Sequence, residues 1–427
     1  MTVERILFGE FELDVTNFEL RRGVVRIKLE RIPMELLILL ARNSGKLVQR
    51  AEVVETIWGK GRFLEVDSAI NTAIRKVRRA LGDDPRHPAI IDTIPGRGYR
   101  FVAAGTKQDP SHDARALYAR GLHFWNRKTP DSYLEAIRLY QESIDIDPNY
   151  APSYLGLAKT WILFGIHGLQ PSQHVYPRAR AAAAKALELD SGLAEGYAAM
   201  ADVIKGYDWN WKCAETYYLR ALEIDASCGI AHQWYANLLS IMGRHDEALR
   251  HALEARSLEP LSVGATGFVG FTYFRARRYQ EALGESQSAL TLEPNSPIAN
   301  WFHGQVLTVL NRFPEAEQAF SKAVEMSQAA PMYLSALGYV YALAGDRERA
   351  SEILVRLQRR SLERYVSPVD LAIVSAALGQ PDAAFDYLET AARERVMRLT
   401  ELTMPMFDSL RNQTRFDALL TTLALQA

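Results

Sequence analysis

A short stretch near the N-terminus concentrates side chains that can bind nucleic acid. Between positions 71 and 79 the chain carries amide, hydroxyl, guanidinium and ammonium groups, on Asn71, Thr72, Arg75, Lys76, Arg78 and Arg79. Asn pairs through two hydrogen bonds with adenine and Arg with guanine, whereas Lys and Arg also bind phosphate oxygens. We therefore expect Asn71, Thr72 and Arg75 to read bases, and the other three residues to contact phosphates.

These side chains lie on one face of a predicted helix. Between Asp67 and Leu81, apolar residues recur at helical spacing and form a stripe of Ile70, Ala73, Ile74, Val77 and Leu81. If this stripe packs inward, the polar face turns to solvent. A helix with such a face fits the major groove of DNA. Four basic residues on a helix are more often simply solvated, so the surrounding elements must decide between the two interpretations.

Strands, two further helices and a hairpin surround this helix. The opening residues alternate as four short strands, at Ile6–Phe8, Phe11–Leu13, Phe18–Leu20 and Val25–Leu29. One helix is predicted from Pro33 to near Asn43, and a second from Ala51 to Trp58. Residues 90–102 then read as two strands joined by a Gly-rich turn, which carry Arg97 and Arg100. This order predicts a winged helix-turn-helix domain that binds double-stranded DNA.

Residues 5–103 resemble the OmpR/PhoB-type winged-helix family of bacterial transcription regulators. The resemblance rests on the opening strands and on three blocks in order, PMELLILLARNSGKLVQRAEVVETIWG, IRKVRRALGDDP and TIPGRGYRFVA. It implies an N-terminal sheet packed on three helices, the third being the recognition helix. It also implies that Thr93, Arg97 and Tyr99 touch the DNA backbone, and that the loop Gly59–Val66 contacts RNA polymerase. Many members carry Arg between Thr93 and Gly96, where this sequence has Pro95.

Two further expectations follow from the resemblance. The third helix is about one turn longer at its start than in the response-regulator members, and in this it is similar to one-component members without a receiver domain. Because the strands begin near Met1, we expect no receiver domain here. Family members often bind tandem or inverted half-sites, which is compatible with a homodimer on DNA.

The rest of the chain is periodic. Alanine recurs at intervals of 34 residues, at Ala214, Ala248, Ala282, Ala316, Ala350 and Ala384. A 34-residue period with small residues at facing positions is typical of the tetratricopeptide repeat, in which each unit is two antiparallel helices. The resemblance covers residues 114–395, about eight units, and implies a right-handed superhelix whose concave groove binds a protein segment. Residues 396–427 lack the period and are predicted to cap the last repeat.

The predicted fold class is mainly α, with two different parts. A small α+β winged helix-turn-helix domain spans 1–105, a linker spans 106–113, and an α-solenoid of tetratricopeptide repeats spans 114–395, followed by the capping segment 396–427. Residues 1–105 contain 18 Lys and Arg against 14 Asp and Glu, whereas the whole chain has 50 against 51. The basic excess is thus confined to the first domain, which favours DNA as its partner.

Other kinds of site have little support in the sequence. The two cysteines form no CxxC pair and the histidines are scattered, so we expect no metal, cofactor or catalytic residue and no enzyme activity. The chain opens without the apolar core of a signal peptide, and its longest aliphatic run, Leu36–Ala41, is far too short to span a membrane. We therefore expect a cytoplasmic protein.

Two functions remain open at this point. The first is a one-component transcription regulator, in which the winged helix binds promoter DNA and the repeats mediate protein–protein interaction or receive a signal. The second is a scaffold or adaptor protein, in which the winged helix has become a protein-interaction module. Salt-dependent binding to duplex DNA distinguishes the two.

Overall fold

The computed structural model describes residues 5–59, 66–103, 105–107, 110–127 and 129–425. The chain divides into two compact units, Met1–Ala116 and Leu117–Ala427. No helix in the described part of the chain is both long enough and apolar enough to cross a membrane.

The first unit contains two small antiparallel sheets and three helices. The strands are β1 (Arg5–Phe8), β2 (Phe11–Asp14), β3 (Glu19–Arg22), β4 (Val25–Ile27), β5 (Leu47–Gln49), β6 (Ile91–Ile94), β7 (Gly98–Phe101) and β8 (Gly105–Lys107). The helices are α1 (Arg31–Arg42), α2 (Arg50–Trp58) and α3 (Val66–Leu81). The first sheet has the order β4-β3-β2-β1-β8, and the second has the order β5-β7-β6.

The core of this unit holds α3 in place. The predicted inward stripe of α3 is confirmed, since Ile70 and Val77 are fully buried and the other three members are at most 5% exposed. They pack in one apolar cluster with α1 and the first sheet, where Leu13, Leu20 and Leu37 are also fully buried. Burial of each such side chain contributes about 1.5–3 kcal/mol. The opposite face of α3 is therefore directed to solvent.

The structure differs from the sequence prediction at three places in this unit. Pro33 is the third residue of α1 and not the first. The third position also accepts proline, because the first four residues of a helix need no N–H group for bonds within the helix. Strand β5 was not predicted. Within the predicted linker 106–113, β8 pairs with β1 and a fourth helix, α4 (Pro110–Asn126), begins. Main-chain pairing requires no apolar side chains, so the polar composition of this segment did not exclude a strand.

The second unit is built from successive helix pairs, and the first helix of the first pair begins before the unit boundary that follows Ala116. In the described residues these are α4 (Pro110–Asn126) and α5 (Pro130–Ile146), α6 (Ala151–Ile166) and α7 (Ser172–Leu189), α8 (Ala194–Val203) and α9 (Trp211–Ile224), α10 (Gly229–Ile241) and α11 (His245–Leu258), α12 (Val263–Arg275) and α13 (Tyr279–Leu292), α14 (Pro297–Val309) and α15 (Phe313–Met326), α16 (Pro331–Leu343) and α17 (Arg347–Ser361), and α18 (Pro368–Ala377) and α19 (Pro381–Arg393). We call each pair a repeat and number them one to eight.

The small residues lie where paired helices touch. All six alanines of the 34-residue ladder are fully buried. A Cβ atom at Gly304 of α14 would lie 2.7 Å from the ring of Phe320 in α15, so only glycine allows this close approach. The period in the sequence is thus a period of helix–helix contacts.

After α19 the chain no longer follows the repeat. Residues 397–403 and 405–410 form two 3-10 segments, and α20 (Thr414–Thr422) follows. Helix α20 packs against α19, as a capping helix does. The 3-10 segments instead contact α18, α6 and the π-helical turn Ile204–Asp208 that follows α8, contacts that the sequence did not predict.

Candidate nucleic-acid interface

The exposed face of α3 forms a narrow ridge. Ser68, Asn71, Thr72, Arg75 and Arg79 are exposed. Apart from the neighbours Asn71 and Thr72, they are three or four residues apart, which places them along one side of the helix. Within the described residues, neither Arg75 nor Arg79 takes part in an ion pair. Both guanidinium groups are therefore available to an anion.

Asn71 is tied to α2 and the hairpin by hydrogen bonds. The Arg50 guanidinium, at the start of α2, donates to Asn71 Oδ1 at 3.0 Å and to the Tyr99 hydroxyl at 3.1 Å. The Tyr99 hydroxyl in turn donates to Asn71 Oδ1 at 3.0 Å. Arg50 also stacks on the Tyr99 ring, 5.5 Å from its centroid. Because an arginine can only donate, this network fixes which end of the Asn71 amide faces it.

This network changes what Asn71 can do. Its carbonyl oxygen already accepts two hydrogen bonds, so only its N–H groups remain for a base. The two-bond pairing with adenine that the sequence suggested needs that oxygen. Arg50, which no pattern in the sequence indicated, lies beside the ridge. It connects the ridge to the wing, the hairpin formed by β6 and β7.

Arg78 joins the end of α3 to β6. Its guanidinium donates to the carbonyl oxygen of Ile91 at 2.6 Å and to Thr93 Oγ1 at 3.0 Å, and lies 3.5 Å from the buried carboxylate of Asp83. Asp83 also accepts from three backbone N–H groups of residues 89–91, at 2.8–3.0 Å. The Arg78 side chain is only 12% exposed. It holds helix and hairpin together, a role different from the predicted phosphate contact.

Lys76, beside the ridge, and Thr72, on the ridge, each have a polar partner within the domain. Lys76 Nζ contacts both carboxylate oxygens of Glu30 at 2.7 Å, in an ion pair open to solvent. The Thr72 hydroxyl donates to the carbonyl oxygen of Ser68, one turn earlier. Lys76 thus has a competing partner that any phosphate must replace.

The wing is a tight hairpin. Arg97 N–H donates to the Ile94 carbonyl oxygen at 3.0 Å, and Gly96 has a φ of +69°. Pro at the second and Gly at the third position are the residues that a type II turn prefers, so Pro95 has a conformational role here. A Cβ atom at Gly98 would lie 2.1 Å from the Val48 carbonyl oxygen, because β7 passes close to β5.

The predicted wing residues have different environments. Arg97 is exposed at the turn, and Thr93 is exposed beside α3. Tyr99 is only 2% exposed, so its contact surface is internal. Arg100 is half-buried, and its Nε has no hydrogen-bond partner among the described residues.

The ridge and wing together border a shallow concavity. It has a volume of about 530 Å³, and its rim includes Arg50, Asn71, Arg75, Arg79 and Thr93. Positions 60–65, the interior of the loop predicted to contact RNA polymerase, lie outside the described residues.

Comparisons with known proteins identify both units. Residues 25–101 match the family described as "Transcriptional regulatory protein, C terminal", and residues 270–331 match the tetratricopeptide repeat. Transcriptional regulatory protein KdpE of Mycobacterium tuberculosis is 34% identical over 93 residues, which are 22% of this chain and 41% of the relative. Transcriptional regulatory protein HprR of Escherichia coli is 37% identical over 94 residues, 21% of this chain and 40% of the relative. The chain thus spans less than half of these relatives.

A solved structure supports the fold of the repeats. The APC/C hetero-tetramer Cut9-Hcn1 aligns with a TM-score of 0.50 at 16% identity, over 72% of this chain and 55% of that one. At this identity the similarity concerns the fold alone.

These findings define the class of the two parts. The fold is a winged helix-turn-helix followed by a helical solenoid. More specifically, the chain carries an OmpR/PhoB-type DNA-binding domain at its N-terminus, followed by tetratricopeptide repeats.

Proposed function

We propose that the protein is a one-component transcription regulator that binds promoter DNA through α3 and the wing. The observation that carries this proposal is the exposed ridge on α3, where Arg75 and Arg79 are without ion-pair partners among the described residues. A buried stripe and the Arg78 contacts fix the orientation of this ridge relative to the hairpin. A rigid helix with free guanidinium groups fits a major groove.

The contacts suggest separate roles for the ridge residues. Arg75 and Thr72 are exposed near the middle of the helix and are proposed to read base edges. Arg79, at the end of the ridge, and Arg97, in the wing, are proposed to contact phosphates. Asn71 is proposed to donate one hydrogen bond through its amide, while Arg50 and Tyr99 hold its orientation.

The repeats are proposed to bind a protein partner or receive the signal. The domain limits 1–105 and 114–395, drawn from the composition of the segment between them and from the 34-residue period, remain proposals. A contact with RNA polymerase through residues 59–66 and a homodimer on DNA are proposed from the family resemblance alone. Pro95, which stands where many family members carry Arg, does not favour the adaptor, because it serves the turn of the wing.

The experiment is selection of bound duplexes from a random DNA pool with the full chain. The test variant is Arg75→Ala. The matched control is Arg138→Ala, which removes the same charge from α5 at a side chain that is 50% exposed. We expect one enriched motif for the wild type and the control. Arg75→Ala should relax the preference at one base pair, which corresponds to about 1–3 kcal/mol.

Two results would contradict the proposal. Absence of any enriched motif at low salt would favour the adaptor. An unchanged motif for Arg75→Ala would show that another residue reads the bases.

A further inference from the structure

The last residues of the chain lie against the inner side of the repeats. We call residues 394–425 the tail. The Arg395 guanidinium donates to the Tyr207 carbonyl oxygen at 3.2 Å, and Trp211 Nε1 donates to the Leu423 carbonyl oxygen at 2.7 Å. These contacts join the tail to the third repeat across about 190–210 residues of sequence. The 3-10 segments also contact α6 of the second repeat and α18 of the eighth. A segment that touches early and late repeats at once lies in the space that the curved array encloses.

The tail also reaches the fifth repeat. The Arg277 guanidinium, which follows α12, donates to both carboxylate oxygens of Asp408 at 2.7 Å. Arg275 donates to Thr403 Oγ1 at 3.3 Å. The contact between Arg277 and Asp408 is a bidentate ion pair, a geometry that gives specificity.

A second ion pair lies deep in the eighth repeat. Arg398 of the tail contacts Asp370 of α18 at 2.5 Å, and both side chains are at most 2% exposed. Asp370 also accepts from the Ser335 hydroxyl of α16 at 3.0 Å. A buried carboxylate is costly unless a cation accompanies it. The inner face of the array thus contains a site that selects a positively charged side chain.

Apolar side chains fill the space between these ion pairs. The buried apolar side chains of the 3-10 segments and their flanks are Val396, Met397, Leu399, Leu402, Met404, Met406, Phe407 and Leu410. Met397 reaches the π-helical turn, where its Cγ lies 3.0 Å from the position of a Cβ at Gly206. The tail therefore contacts the array as a peptide ligand contacts a groove, with apolar anchors and two charged contacts of opposite sign.

We propose that the tail is an internal ligand of the concave face of the repeats and holds the place of an external partner. Its external partner is a segment of the same chemistry: an apolar stretch with an arginine that enters at Asp370 and, about ten residues later, a carboxylate that meets Arg277. Such a segment competes with the tail for the array. This inference deepens the proposed function, since it names the surface and the partner class of the repeats.

The Arg277–Asp408 pair allows a test from both sides. The two side chains are 45% and 37% exposed, so their removal leaves the core intact. Asp408→Ala weakens the binding of the tail to the array but leaves the Arg277 donor on the array. Arg277→Ala breaks the same pair but removes that donor. The probe is a fluorescent synthetic peptide of residues 394–425, and its binding to full-length chains is measured by anisotropy.

We expect the peptide to bind the Asp408→Ala chain about fivefold more tightly than the wild-type or the Arg277→Ala chain. A peptide with its own Asp408→Ala change should lose this gain. Equal binding to the two variant chains, or no binding to any chain, would overturn the proposal. Circular dichroism checks that both variants retain the helical array.

Duplex binding by the same variants separates this inference from the proposed function. Specific DNA binding with no peptide preference would refute only the role of the tail. Peptide competition without specific DNA binding would refute only the transcription regulator.

Discussion

Arg78 provides a direct test of how α3 is attached to the wing. Its guanidinium makes two hydrogen bonds to β6 and lies beside the buried Asp83. Hydrogen bonds that involve a charged group contribute about 1.5–3 kcal/mol each. Breaking a buried ion pair costs about 3–5 kcal/mol, but Asp83 keeps three backbone N–H donors, so the carboxylate is not left without partners. We expect Arg78→Ala to destabilise the attachment of the hairpin by about 3 kcal/mol.

Hydrogen exchange of the full chain, followed by mass spectrometry, measures this loss locally. If the hairpin opens as a unit, 3 kcal/mol corresponds to about hundredfold faster exchange in β6 and β7. Arg75→Ala is the matched control, because it removes the same charge from the exposed ridge and should leave exchange unchanged.

One combination of results would refute this reasoning. If Arg78→Ala left exchange at the wild-type rate and lowered DNA affinity evenly for all duplexes, Arg78 would be a phosphate contact, as the sequence first suggested. The ridge would then have one more free cation than the structure shows.

Three further predictions concern single side chains. Gly98→Ala places a methyl group against a carbonyl oxygen of β5 and should destabilise the first unit by a few kcal/mol, which thermal unfolding measures; an unchanged transition would contradict the close approach of the strands. Glu30→Gln frees Lys76 and should tighten duplex binding about two- to fivefold at low salt but not at high salt, and equal affinities at low salt would refute competition by Glu30. Burial, followed by the charges of His232 and Arg250, lowers the pKa of His251 from 6.5 to about 4. As the pH falls, the unfolded chain therefore binds the proton before the folded chain does, and the free energy of unfolding decreases. The contribution of His251 is complete above pH 6.5 and should fall by about 2 kcal/mol towards pH 4, after allowance for solvent screening. Acid unfolding of the His251→Gln chain should show a smaller loss.

Local patterns in the sequence predicted most of the fold. The stripe that begins at Ile70 recurs at the period of a helix, and a helix buries its apolar face. The ladder that begins at Ala214 recurs once per repeat and marks the same helix–helix contact in each unit. Strand β5 was missed because three residues are too few to show alternation. The pairing of β8 was missed because it depends on the main chain.

The sequence predicted which polar residues lie on α3 and in the hairpin, but not the contacts they make. Asn71 and Tyr99 are 28 positions apart, and Arg78 meets Thr93 after 15 positions. Such pairings arise only when α3 packs beside the wing. Helical spacing alone therefore could not distinguish the polar residues of the exposed face that have internal hydrogen bonds from those that are open to DNA. The tail contacts were not predictable for the same reason, since they join residues about 130–210 positions apart.

The engagement of Arg78 by β6 also affects how binding responds to salt. Each cation that neutralises a DNA phosphate releases counterions, and the logarithm of affinity falls with the logarithm of salt concentration by about 0.9 per contact. The sequence predicts four such phosphate contacts, by Lys76, Arg78, Arg79 and Arg97, which would give a slope of about −4. With Arg78 engaged inside the fold and Lys76 held by Glu30, Arg79 and Arg97 remain, and the slope is about −2. The internal contacts that hold the helix rigid thus make each DNA-binding unit less sensitive to ionic strength than its basic residues suggest.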